Sequence, residues 1–303
     1  MIELGIKSDP IETRYTYDWL FGLMDDLDVR IVQIGSFFEM YSLDLKYFEK
    51  VKEQAFAKNI HIRSMFTAHR ELGGFFYNDI YMEKAARAMY EKYIDVASIL
   101  GVDFCGSNPG AIYRNRMHDK AAGIACYVKH MKELSFIAKE KGIKGLTIEP
   151  MSCEAEPPTS GQEMKSMMTE LNNFHKQNSQ STVPFYLCGD ISHGWAGPER
   201  EIIASNYELF EAGLPWMCEF HYKNTDKYFE STFGFSEAEL QKGIIDLDLI
   251  KSIILKNKEI IPVNNLSGYL EISGPKTGRD YSDKWLEKAL RDSIVSIKKS
   301  LLQ

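Results

Sequence analysis

The sequence predicts a (β/α)8 barrel. Eight short apolar runs recur along its 303 residues, amphipathic stretches lie between them, and no Pro/Gly/Ser-rich linker or low-complexity tract divides the chain. The whole of 1–303 therefore reads as one domain. The runs are Ile2 to Ile6, Val29 to Ile34, Ile60 to Phe66 and Val102 to Cys105, then Gly145 to Ile148, Pro184 to Cys188, Trp216 to Phe220 and Gly268 to Ile272. Each is 4 to 7 residues long, as expected of strands buried on both faces.

The intervening stretches follow a 3.6-residue period. Leu43 to Lys58 places Phe48, Val51 and Phe56 on one face. Tyr81 to Leu100 does the same with Ala86, Met89, Tyr93, Val96 and Leu100. His118 to Lys141 stops at Gly142, a residue suited to helix ends. Gln162 to His175, Glu199 to Glu211, Glu237 to Lys256 and Ser282 to Leu302 complete the helical set. An open doubly wound sheet is the alternative, but SDP follows the first run where a dinucleotide site would need a glycine loop.

Bulk composition narrows the function. The formal net charge of -7 opposes nucleic acid and anionic membrane surfaces, while leaving room for a small anionic substrate in a local basic pocket. Five scattered cysteines without a CxxC pair fit reduced thiols in the cytoplasm. The start MIELGIKSDP lacks the basic-then-apolar pattern of a signal peptide, and no apolar run reaches the roughly 20 residues of a membrane helix.

In such a barrel chemistry sits where strands end. The fifth run ends in Glu149, the sixth leads to Asp190 with His193 three further on, the seventh to His221, and the eighth contains Glu271. Any one of these alone is as readily a buried ion pair or a loop residue. Four on four consecutive strands suit one divalent ion, Mg²⁺, Mn²⁺, Co²⁺ or Zn²⁺.

With these residues in place, the chain resembles the xylose isomerase-like barrel superfamily, in its sugar isomerase and epimerase branch that includes the D-tagatose 3-epimerases. The Glu–Asp–His–Glu order matches, as does an Asp-x-x-His motif at Asp190 and His193. HYKNTD is similar to an H-x-K-D segment of phosphorylated-sugar epimerases, and GIIDLD from Gly243 resembles their G-x-G-x-x-D stretch without its first glycine. LGIKSDPIETRY, FTAHRELGGFF, GSNPGA, LTIEPMSCEAEPP and KNTD with STFGFS look like the tetrulose-phosphate 3-epimerases of erythritol breakdown, which act on erythrulose 1-phosphate.

The resemblance implies proton transfer through a metal-stabilised enediolate, with Glu149 and Glu271 as the catalytic carboxylates on opposite faces. It also implies a homo-oligomer and a small sugar or sugar phosphate as partner. Candidate substrate contacts are His193, His69, Asn108, Lys223 and a glutamate of the EPMSCEAEPP loop, Glu156 or Glu154. Lys276 and Arg279, with Gly274 and Gly278, suggest a phosphate loop, though mobile surface charge is the plainer reading. Phe37, Phe38, Phe66, Phe75, Phe76 and Trp195 wall a pocket or pack in a core. Three competing readings remain: an aldose–ketose isomerase of the D-apiose isomerase type, an endonuclease IV-like nuclease, for which histidines are few, and a non-catalytic sugar sensor.

Overall fold

A computed structural model describes residues 1–9, 14–35, 37–67, 72–272 and 283–302. Eight parallel strands close into a barrel in the order β1-β12-β9-β6-β5-β4-β3-β2. These are β1 (Ile2–Lys7), β2 (Ile31–Ile34), β3 (His61–Thr67), β4 (Phe104–Ser107), β5 (Gly145–Ile148), β6 (Phe185–Asp190), β9 (Met217–Tyr222) and β12 (Leu266–Leu270). Two small antiparallel ribbons, β7 (Trp195–Ala196) with β8 (Ile202–Ala204) and β10 (Asn224–Thr225) with β11 (Thr232–Phe233), follow β6 and β9.

The chain packs as two units, the first comprising Met1–Gln33, Gln54–His61 and Gly189–Gln303, the second Ile34–Glu53 and Ile62–Cys188. In the first, β12 pairs with β1 and β9, Leu4 opposite Gly268 and Tyr269 opposite His221. Gly5 is required there, because a Cβ would lie 2.6 Å from the ring of fully buried Tyr269. Phe220 and Tyr222 face the helical layer, where they meet Phe210 and Phe235. In the second, β3, β4 and β5 run in register, Ser107 opposite both Thr67 and Ile148.

The helices begin and end where local chemistry dictates. In α3 (Ile80–Leu100), Asp79 accepts from the N–H groups of Tyr81 and Met82 at 2.8 and 3.1 Å, and Gly101 closes the helix at φ 75°. In α4 (Lys120–Glu140) the last turn gives way to Gly142 at φ 80°, as the sequence predicts. Ser160 caps α5 (Gly161–Gln177), and Ser205 with Glu208 forms a reciprocal capping box on α6 (Asn206–Gly213).

Four expectations need correction. Glu199 to Glu211 is not one helix, because Ile202–Ala204 pairs as a strand and Ser205 starts the helix only afterwards. Glu237 to Lys256 is two helices, α7 (Glu237–Lys242) and α8 (Leu247–Lys256), since Asp246 caps a fresh start. In α2 (Leu45–Ala57) the buried face is Phe48, Val51 and Ala55, whereas Phe56 is 84% exposed, eight residues from Phe48 and past the face. The reading also omits α1 (Tyr17–Asp26), capped by the Thr16 hydroxyl. The last helix, α9, spans Asp283–Leu302. No helix among the described residues is long and apolar enough to cross a membrane.

Candidate active site

Several barrel ladders extend one residue past their strands. Glu149 N donates to Ser107 O at 3.4 Å, Ile191 N to His221 O at 3.3 Å, and Glu271 N to Tyr222 O at 3.0 Å. The backbone thus fixes Glu149, Asp190 and Glu271 at the same end of their strands. Asp190, His221 and Glu271 of the first unit each offer one ligand atom, and those atoms lie within 4.8 Å of one another; Glu149, just past β5 in the second unit, offers a carboxylate of the same kind. Asp190, His221 and Glu271, three of the residues that the sequence singles out, come together within the first unit.

Within the first unit the surroundings are densely charged. His221 is fully buried. Its Nε2 lies 2.8 Å from Gln33 Oε1, an atom that only accepts, so Nε2 carries a proton. Nδ1 is left facing Glu271 Oε2 at 3.0 Å and Asp190 Oδ2 at 3.9 Å. Lys223 Nζ bridges Asp190 Oδ2 at 2.8 Å and Glu271 Oε1 at 3.1 Å, while Lys7 Nζ stands 3.6 Å from Glu271 and 2.5 Å from Asp9. Asp190 Oδ1 accepts from the Ser192 N–H and hydroxyl, both at 2.7 Å, and His193 Nε2 is 3.5 Å from Oδ2.

Burial alone raises the pKa of both acids. For Glu271 it is outweighed by Lys223, Lys7 and His221, which hold the carboxyl well below its ordinary range. For Asp190 it is outweighed by His193 and Lys223 together with His221. In the second unit Asn108 Nδ2 donates to Glu149 Oε2 and lies 2.8 Å from Met151 Sδ.

This donor set fits a divalent cation. Three carboxylates and one imidazole match the oxygen and nitrogen preference of such ions. Among the described residues, Asp190 Oδ2 and Glu271 Oε2 are buried oxygens without a hydrogen-bond partner, and a nitrogen faces each, Lys223 Nζ the first and His221 Nδ1 the second. Gln33 fixes the His221 tautomer as outer partners of metal-binding histidines do.

The other candidates separate clearly. His193, Lys223 and Asn108 border the group. Glu156 is half-buried and 3.7 Å from Arg114, whereas Glu154 is exposed. His69, Lys276 and Arg279 lie outside the described residues. Phe66, Phe75 and Phe76 are buried, the last two against Tyr127 of α4, which supports the packing reading for them. The sequence reading misses Lys7 and Gln33. Their signal is a charged and a polar residue inside the otherwise apolar runs IELGIK and IVQI.

No protein-family model matches the chain, and neither does the sequence of any curated protein. Solved structures do match over nearly all its length. A Rhodospirillum rubrum protein described provisionally as a xylose isomerase superposes with TM-score 0.80 at 18% identity, covering 99% of each chain. D-psicose 3-epimerase from Clostridium cellulolyticum H10, with D-tagatose, gives 0.71 at 15% identity, again over 99% of each chain. An L-ribulose 3-epimerase gives 0.68 at 13% identity, covering 99% of this chain and 95% of the other. At these identities the likeness establishes the barrel fold.

Proposed function

We propose that this chain, acting as one domain, is a divalent-metal-dependent epimerase of a small ketose or ketose phosphate, with erythrulose 1-phosphate as its substrate. The observation that carries the reading is a metal-type donor at or beside the end of each of four strands, Glu149, Asp190, His221 and Glu271, the last three gathered within 4.8 Å. The likeness of fold to D-psicose and L-ribulose 3-epimerases supports sugar chemistry. The five free cysteines fit work in the reducing cytoplasm.

When bound, a divalent cation supplies Lewis-acid polarisation of a substrate carbonyl. The chain's own residues do the rest. Glu149, oriented by Asn108, takes the proton from C3 as its bonding electrons move toward the carbonyl. Glu271 gives a proton to the opposite face and inverts the centre. Glu271 takes a proton from solvent before the step and leaves it as a carboxylate, the form that Lys223 and Lys7 favour, while Glu149 releases the proton it took to solvent before the next turnover. His193 and Glu156 contact substrate hydroxyls. Phosphate recognition rests on Lys276 and Arg279, in a segment outside the described residues.

A second reading, an aldose–ketose isomerase, is favoured by the likeness to the Rhodospirillum rubrum protein. It uses the same carboxylates but moves a proton between C1 and C2. A panel of tetruloses and pentuloses, each with and without phosphate, separates the two. D- and L-erythrulose 1-phosphate are mirror images, so their interconversion is followed by optical rotation, and the pentuloses by NMR. Loss of rotation with erythrulose 1-phosphate, abolished by chelator, is the expected result. An aldose product selects the isomerase, and no conversion of any sugar by metal-loaded protein contradicts both.

A further inference from the structure

We propose that Glu83, Cys126 and His130 form a second metal site, on the outer helices α3 and α4, for a zinc-class divalent cation. None of these residues belongs to the group described above. Cys126 and His130 are four apart on α4, so both side chains lie on one face of the helix. Glu83, in the first turn of α3, meets that face. Each residue offers one ligand atom within 4.8 Å of the others. Thiolate, imidazole and carboxylate together are a donor set that zinc takes up, with a fourth position left for water.

The surroundings are built around these atoms. Glu83 Oε1 accepts from His130 Nε2 at 2.7 Å, and the Cys126 thiol hydrogen-bonds the same carboxylate. The three donors therefore already converge on one point. The Phe75 ring stacks on His130 at 4.4 Å and 20°, fixing the imidazole plane, and the histidine is only 7% exposed. Beside Glu83 and Cys126 lies a cleft of about 400 Å³, bordered by Gly74, Asn78, Asp79 and Gly123, through which an ion and its water can enter.

Charge balances at the site: a dication with one thiolate and one carboxylate is neutral. Binding releases the thiol proton to solvent and moves the imidazole proton from Nε2 to Nδ1. The second shift has an obstacle in Arg87, whose Nη1 lies 3.3 Å from Nδ1 and donates to it. Arg87 has other anchors, Glu91 at 2.6 Å and Glu133 at 2.5 Å, to which it withdraws. Lys129, 4.0 Å from Glu83, is a second competing cation. Arg87→Gln should therefore tighten binding.

Cobalt(II) is the probe, because a thiolate ligand gives a charge-transfer band in the near ultraviolet that oxygen and nitrogen ligands do not. Titrating the full chain with Co²⁺ should give that band and two equivalents bound. Cys126→Ser should lose the band and one equivalent and keep the other, and His130→Gln should weaken the same equivalent. Arg87→Gln should bring the band up at lower cobalt. No thiolate band in the parent protein overturns the proposal, as does a band that persists in Cys126→Ser. Because the four-residue group contains no thiol, its failure to bind would remove the other equivalent and leave this readout intact.

Discussion

Glu271 shows how single residues set the chemistry. It is held between Lys223, Lys7 and His221, and that company keeps it ionised despite burial. Changing Glu149 or Glu271 to glutamine keeps shape and removes the proton carrier, so each variant should fold as the parent does and lose about 10²–10⁴-fold in kcat. Full activity in either, measured on the preferred ketose, removes that residue from the mechanism. Gln33 acts through His221. Gln33→Leu should weaken metal affinity by about 10–100-fold, with little change in the far-ultraviolet spectrum. Calorimetric titration checks this, and unchanged affinity contradicts the tautomer argument. Burial and then Glu83 push the Cys126 thiol up to about 11. In metal-free protein it should alkylate slowly at pH 8, and mass spectrometry locates the label.

At the scale of elements, the caps make the sharpest predictions. Asp79→Ala removes the acceptor of two N–H groups at the start of α3 and should cost about 0.5–2 kcal/mol in urea unfolding. The same elements show what could be read from the chain alone. All eight barrel strands were legible, because each is an apolar run whose shift in bounds is at most two residues at either end in the structure. Ser205 and Asp246 were the signals that the helices around them begin late, but their caps compete with a helical period that runs straight through Glu199 to Glu211 and Glu237 to Lys256. Tyr17–Asp26 was missed because TYDWLFGLMDD lies in a short span between two strands and its cap is a single Thr16. The metal-type residues were legible because they end strands. Lys7 and Gln33 were not, since their role depends on the neighbours that barrel closure supplies, Glu271 for one and His221 for the other.

For the whole molecule, the buried charges link stability to pH. Glu271 and Asp190 have folded pKa values below their ordinary ones. Their contribution is fully present above the ordinary carboxylate pKa and is lost as pH falls toward the lowered folded values. The thermal midpoint of metal-free protein should therefore drop as pH falls below about 4. Lys223→Met leaves two buried carboxylates without their bridging cation, and should cost about 3–5 kcal/mol at neutral pH. Adding a divalent ion at 100 times its Kd should raise stability by about 2.7 kcal/mol, which chelator reverses.

The central claim is that this barrel moves a carbon-bound proton of a ketose between two carboxylates. The direct measurement is to incubate metal-loaded protein in D₂O with erythrulose 1-phosphate and the panel sugars, and to read deuterium positions by NMR. Deuterium entering at C3, lost in Glu149→Gln and Glu271→Gln, is the predicted result. No deuterium in any sugar, with metal bound, would contradict the account.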